Sequence, residues 1–186
     1  MNGVGMKAVN ALSTFLTVCS VREGRYFQAD FKAGVLASKN TGRCEESERD
    51  GTLVRYLPDA KCIKRFVMKE EHVVRRMQMY VYVNPGLKIV LNGQEIVKPE
   101  GLADLISESL KQPPLYRPFA FSSPNLSFIF THSGRSGEEF YTFVNGQYTS
   151  DGGTHLVAFR EALTKALKDY SPKSRFDGDD VREGIC

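Results

Sequence analysis

Tryptophan is absent from this 186-residue chain, and cysteine and histidine are sparse, with four and three copies. Cys19, Cys44, Cys62 and Cys186 form no Cys-x-x-Cys pair, and His72, His132 and His155 are equally dispersed. Neither a zinc-ligand spacing nor a disulfide framework can be drawn from them, so reduced thiols and no metal site are expected. No apolar run approaches the ~20 residues that span a bilayer. The first residues lack the charged-then-apolar order of a signal peptide, so no membrane contact is expected and the cytoplasm is the expected location. Charge of one sign is also missing: 25 Lys and Arg stand against 22 Asp and Glu, a net +3. That excess is too mild for composition to name nucleic acid as a partner. Internal repeats and low-complexity segments are absent. What is present, 41% hydrophobic and 25% charged residues, is the make-up of a globular protein. The length suits one domain, or one domain with a piece of another.

The most informative stretch is the first, Asn2-Gly3-Val4-Gly5-Met6-Lys7-Ala8-Val9-Asn10-Ala11-Leu12-Ser13. It reads as a glycine-rich loop running straight into a small-residue helix. Glycines one residue apart let backbone N–H groups approach an anion, and a helix starting behind them adds its positive dipole end. A nucleotide triphosphate suits that geometry; a tight turn ahead of a helix is the plainer reading. Asn10 reads either as a ligand group or as a helix Asn bonding its neighbours.

Strand signals follow. Leu16 to Val21 and Arg25 to Phe31 flank a Glu23-Gly24 break, a hairpin pattern, and Ala33-Gly34 turns into a short third strand, Val35 to Ser38. Lys39 to Asp50, with Gly42, Glu45, Glu46 and Glu48, is polar enough to be an exposed loop. Thr52 to Tyr56 reads as a strand stopped by Pro58. Beyond Asp59 the character changes, and a domain boundary is expected near Ala60. Lys61 to Lys69 is a basic connector. A helix over about 69–81 shows Val73, Val74, Met77, Tyr80 and Val81 on one face. Asn92-Gly93 between two apolar runs predicts a hairpin, and Leu102, Leu105, Ile106 and Leu110 a short helix. Strands are expected at about Phe119 to Ser122, Leu126 to Thr131 and Glu139 to Val144. A last helix is expected over Thr154 to Tyr170, with Leu156, Phe159, Leu163, Leu167 and Tyr170 as its apolar stripe. Thr154 is its expected N-cap, behind a Gly152-Gly153 turn. Asp177, Asp179 and Asp180 lack the rest of a calcium loop and read as an acidic cap for a final short helix. Hairpins separated by helices argue for an α+β fold.

Five ordered segments carry a family resemblance. They are the opening Gly-Val-Gly-x-x-x-Val-Asn-Ala-Leu-Ser; Asp50-Gly51-Thr52 with Tyr56-Leu57-Pro58-Asp59; Tyr82-Val83-Asn84-Pro85-Gly86-Leu87-Lys88-Ile89; Phe143-Val144-Asn145 through Gly152-Gly153-Thr154-His155 and Phe159-Arg160; and Asp180-Val181-Arg182-Glu183-Gly184. Together the chain resembles the ATPase subunits of the bacterial type IIA topoisomerases, gyrase B and ParE of topoisomerase IV, leaning to ParE. The resemblance implies the C-terminal part of a GHKL ATPase domain over residues 1–60. A transducer domain with the ribosomal-S5-like fold would follow over 61–186, truncated before the family's Gln-Thr-Lys loop. It implies ATP and Mg²⁺ as cofactors of the intact subunit. It also implies DNA, a DNA-cleaving partner subunit (ParC or gyrase A) and a homodimer of ATPase arms on ATP binding as partners. The family's catalytic Glu, Mg²⁺-binding Asn and adenine-reading segment have no counterpart here, so this piece alone is expected to be inactive, with no catalytic residue of its own.

Nucleotide contacts therefore carry over only onto Asn2, Gly3, Val4, Gly5, Met6 and Lys7, through backbone N–H groups to phosphate; Lys7 itself reads more simply as a solvated first-turn lysine. His155 has no nucleophile or carboxylate partner in its local sequence. Arg160, Lys165 and Lys168 lie on the polar side of the last helix. A solvated face is one reading, and a DNA-facing surface is the one the family implies. Two rival classes are a MutL-like ATPase, whose lid carries a different Gly-Phe-Arg-Gly-Glu pattern, and a free-standing S5-like RNA-binding or interaction module, for which an aromatic stacking motif is missing.

Overall fold

The computed structural model describes residues 4–45, 49–173, 175 and 177–182. Asn2, Gly3, Glu46, Glu48, Glu183, Gly184 and Cys186 lie outside the described residues. The chain divides into two compact units, Met1–Met68 and Lys69–Cys186.

In the first unit a helix, α1 (Val4–Ala11), precedes four strands, β1 (Ser13–Arg22), β2 (Arg25–Lys32), β3 (Val35–Arg43) and β4 (Gly51–Pro58). They form one antiparallel sheet in the order β3-β2-β1-β4. The β1–β2 turn places Glu23 and Gly24 at positive φ, 52° and 71°, and the β2–β3 turn does the same with Ala33 and Gly34, 47° and 81°. Two consecutive left-handed residues in a two-residue loop match the right-handed twist of the strands they join. Strand β3 runs on to Arg43, pairing Lys39 with Ala29 and Thr41 with Phe27. Residues 39–43 are thus strand rather than the expected loop: a polar sequence pairs because β2 offers its backbone edge, which periodicity alone does not reveal.

The register sorts the sheet into two faces. Leu16, Val18, Ala29, Phe31, Val54 and Tyr56 share one, with Leu16 only 2% exposed. Thr17, Gln28, Asp30 and Ser38 share the other, where Asp30 accepts from Thr17 Oγ1 and Ser38 Oγ, both at 2.7 Å, and from Gln28 Nε2. The Thr17 hydroxyl first, then Ser38 and Gln28, hold the Asp30 carboxyl below its ordinary range. The apolar face is covered in part: Phe27, Val54 and Tyr56 stay 45%, 37% and 46% exposed.

The second unit contains helices α2 (Glu70–Val83), α3 (Leu102–Ser109), α4 (Thr154–Tyr170) and α5 (Gly178–Arg182). Three antiparallel pairs lie between them: β5 (Ile89–Leu91) with β6 (Gln94–Ile96), β7 (Phe119–Ser122) with β8 (Ser127–Phe130), and β9 (Phe143–Val144) with β10 (Gln147–Tyr148). Its core holds Val81, Tyr82, Leu105, Ile106, Leu156 and Val181. Phe119, Phe121, Phe128 and Phe130 lie on one face of the β7–β8 hairpin, and Phe159 of α4 packs on Phe128 at 5.1 Å between ring centroids. Tyr170 leaves the expected stripe of α4 and is exposed.

Two further expectations are corrected. The strand expected at Glu139 to Val144 forms only at Phe143–Val144, where Asn145-Gly146 turns it into β10. Upstream, Glu138 and Glu139 bond side chains instead, Arg160 to the first and Arg135 and Tyr141 to the second. Thr154 is the first residue of α4 and not its N-cap; Gly153 holds that position at φ 146° without a side-chain cap. The acidic cap of the final helix does form. Asp177 Oδ1 accepts from the Asp179 and Asp180 amides, and Asp180 Oδ2 accepts from the Asp177 amide, a reciprocal box.

Candidate functional site

Of the residues expected to contact phosphate, Val4, Gly5, Met6 and Lys7 form the first turn of α1, all exposed. First-turn N–H groups have no intrahelical acceptor and point outward along the helix axis. Gly5 has ordinary helical geometry, and a Cβ at this position would meet no described residue within 4 Å. Neither packing nor backbone strain therefore calls for glycine at this position. What its missing side chain provides is an uncovered amide.

The turn is held by contacts behind it. Ser13 Oγ donates to the Val9 carbonyl at 2.6 Å, closing the helix end, and the Asp59 amide donates to the Leu12 carbonyl at 2.9 Å. Asn10 Nδ2 donates to the Gly34 carbonyl at 3.2 Å, so Asn10 clamps α1 to the β2–β3 turn. A Cβ at Gly34 would lie 3.3 Å from Ala11 Cα, which keeps helix and turn in close approach. Asn10 Oδ1 is buried and has no hydrogen-bond partner among the described residues.

The second set of expected residues lies on α4. Arg160 is committed to Glu138: its Nε and Nη2 donate to the two carboxylate oxygens at 3.0 and 2.6 Å, and its guanidinium lies 5.3 Å from the Phe140 ring centroid. Both side chains are mostly buried, 26% and 18% exposed. Lys165 and Lys168 are exposed and line a shallow groove of about 570 Å³ with Thr164, Glu161 and Asp169, whose carboxylates dilute the positive charge.

The Gly152-Gly153-Thr154-His155 segment is accounted for by packing. Gly152 has φ 72°, and a Cβ there would fall 2.8 Å from Leu156 Cδ2. His155 Nε2 lies 3.4 Å from the Thr149 hydroxyl, and that is a structural contact. Among the described residues no group of His, Cys, Asp and Glu could hold a metal ion, and no helix is long and apolar enough to cross a membrane.

Sequence reasoning missed two polar clusters. Tyr82, outside the expected stripe of α2, is 4% exposed and donates to Glu108 Oε2 at 2.7 Å, while Lys98 pairs with Glu108 Oε1. Burial first, and the Glu108 carboxylate second, push the Tyr82 phenol well above its ordinary range; the Lys98 bond holds the Glu108 carboxyl down. The other cluster joins Tyr116, His132 and α5. No spacing in the sequence links these residues.

Residues 98–186 match the family model for DNA gyrase B. The whole chain is 39% identical over 186 residues to the B subunit of DNA topoisomerase 4 of Borreliella burgdorferi, of which it covers 31%. It is 32% identical over 206 aligned positions to the B subunit of DNA gyrase of Archaeoglobus fulgidus, of which it covers 32%. The chain thus spans about a third of the length of these relatives. Among solved structures, the 43K ATPase domain of Thermus thermophilus gyrase B, determined with an aminocoumarin, superposes with a TM-score of 0.79 at 28% identity, covering 99% of this chain and 56% of that one. The ATPase region of Saccharomyces cerevisiae topoisomerase II, at 18% identity and a TM-score of 0.72, shares the fold alone.

The architecture is α+β, with the fold of the gyrase B ATPase region on which the chain superposes. By sequence the chain is similar over its whole length to the B subunits of DNA topoisomerase 4 and of DNA gyrase.

Proposed function

We propose that this chain serves in an ATP-dependent type IIA topoisomerase, where it couples ATP binding and hydrolysis to DNA strand passage. In this reading Met1–Met68 is the end of the ATPase domain and Lys69–Cys186 the transducer. The backbone of Asn2 to Lys7 closes on the nucleotide phosphates, with Mg²⁺ held by residues elsewhere in the subunit. Closure joins two ATPase arms as a homodimer, and the transducer passes the movement to the DNA and to the DNA-cleaving partner subunit, in the cytoplasm. No residue of this chain does the chemistry.

The observation that carries the reading is Gly5. It sits in an exposed first turn, clamped from behind by Ser13, Asn10 and Asp59, with nothing among the described residues to explain its lack of a side chain. A rigidly held turn with an open amide is what an anion requires. Lys165 and Lys168 are the exposed α4 charges left to face DNA, because Arg160 is neutralised by Glu138.

The test is Gly5→Val in a subunit that carries this chain together with the rest of its relatives' length. The isopropyl group covers the amide where phosphate oxygens must sit. ATP-analogue-dependent dimerisation should be lost while DNA binding persists. A Gly5→Val subunit that still dimerises with a non-hydrolysable analogue would show that the turn is only a turn.

A further inference from the structure

Helix α5 has five residues, too few to be stable by itself. Its inward anchor is Val181, 6% exposed, and the backbone carbonyl of that residue also has a partner: His132 Nε2 lies 3.1 Å from it. On the other side of the same ring, Nδ1 lies 2.5 Å from the Tyr116 hydroxyl. His132 follows β8, between Thr131 and Ser133, which are 0% and 6% exposed. The backbone there is fixed: the Leu115 amide donates to the His132 carbonyl at 2.8 Å, Thr131 Oγ1 donates to the Tyr116 carbonyl at 3.2 Å, and Pro114 bridges Ser133. A rigid two-stranded edge therefore presents the imidazole to α5.

The chemistry of the three groups sets the direction of both bonds. A carbonyl only accepts, so Nε2 must carry the proton toward Val181. In the neutral ring Nδ1 is then the acceptor, and the Tyr116 hydroxyl is the donor. Burial raises the Tyr116 phenol above its ordinary range, in keeping with a hydroxyl that stays protonated.

We propose that Tyr116 and His132 form a latch that fixes the position of α5, with the Tyr116 hydroxyl steadying the ring through Nδ1 and the Nε2–H of His132 holding the Val181 carbonyl. His132 is a positioning residue in this scheme. Opening the latch releases α5 while the rest of the unit stays folded. The inference does not depend on the nucleotide reading above.

Two measurements test it on the chain as it stands. Long-range ¹H–¹⁵N correlation of the His132 ring at neutral pH should show the Nε2–H tautomer that the Val181 carbonyl requires, and Tyr116→Phe should speed exchange over residues 177–182 through loss of the hydroxyl that steadies the ring. Finding the Nδ1–H tautomer in the wild type would overturn the proposal. Hydrogen exchange over residues 177–182 reads the latch itself. His132→Asn, whose amide can replace only Nδ1, should speed exchange there about fivefold, the factor expected for one lost hydrogen bond, with β7–β8 protection unchanged. His132→Gln, whose amide reaches the Nε2 position, should restore most of the protection. Exchange within twofold of wild type in His132→Asn, in a protein with intact β7–β8 protection, would also overturn it. The tautomer measurement needs no variant, so it decides the matter even if substitution at 132 unfolds the unit.

Discussion

Arg160 of α4 holds Glu138 through two parallel hydrogen bonds, 3.0 and 2.6 Å long, while its guanidinium lies over the Phe140 ring. A bidentate pair of this kind, mostly removed from water, fixes the segment that leads from β8 toward β9. The two partners are 22 residues apart in the chain. Glu138→Gln leaves the guanidinium half-buried beside a neutral amide, and thermal unfolding should show a loss of about 1–2 kcal/mol, below the range for fully buried pairs. Arg160→Lys should lose a similar amount, because an ammonium cannot reproduce the fork.

The same pair separates two views of the α4 face. In the intact subunit, Lys165→Ala with Lys168→Ala should reduce the slope of log affinity for DNA against log salt by about 1–2, near one for each phosphate no longer neutralised. Arg160→Ala should destabilise the fold and leave that slope unchanged. Equal slopes in the wild type and the double lysine variant would mean that the face is simply solvated.

Tyr82 supplies a pH signature. Its phenol titrates above the ordinary tyrosine value in the folded state, because burial and then Glu108 disfavour the phenolate. The folded state thus holds its proton more tightly than the unfolded chain does. The associated stability is complete below about pH 10 and is lost as the pH rises through the folded value. Melting temperatures measured from pH 8 to 11 should fall for the wild type and fall less steeply for Tyr82→Phe. Parallel curves would remove Tyr82 as the source.

Gly101 and Gly5 make a contrast in backbone terms. Gly101 has φ 59°, and a Cβ there would stand 2.8 Å from Pro85 Cγ and 2.9 Å from the Tyr82 carbonyl oxygen. Gly101→Ala should cost about 2–4 kcal/mol in denaturant unfolding, from strain and overpacking together. Gly5→Ala, in open space and helical geometry, should be neutral or stabilise by up to about 1 kcal/mol. A destabilised Gly5→Ala chain would show that the position has a structural reason for glycine.

The chain by itself should bind ATP poorly. The first turn of α1 offers a few amides, each worth about 1.5–3 kcal/mol to a charged phosphate, against an association cost of at least ~4 kcal/mol. Titration calorimetry should find millimolar affinity or weaker. Saturable binding in the micromolar range would mean that these residues hold a nucleotide site by themselves.

Local chemistry explains what could be read without a fold. Glu23-Gly24, Ala33-Gly34 and Asn92-Gly93 all form two-residue turns at positive φ, signalled in each by the glycine at the second position, while Glu23 and Ala33 take that conformation against their own preference. The span of α4, Thr154–Tyr170, follows from its apolar period and the glycines before it, and the aspartate box of α5 from residues three apart. The resemblance to the topoisomerase B subunits, too, was legible in five short ordered segments.

The tertiary structure decided the matters that depend on distant partners. Residues 39–43 became strand because β2 had an edge to offer, and Glu139 to Tyr141 did not because their neighbours bond α4 and one another. Arg160 turned from a surface charge into half of an ion pair, and His132 from an isolated histidine into the link between Tyr116 and Val181. A sequence specifies turns and periods through interactions a few residues long. Whether a charge faces solvent or a buried partner, and whether a polar strand pairs, is settled only when the chain brings remote residues within about 3 Å, where desolvation and hydrogen bonding outweigh local preference.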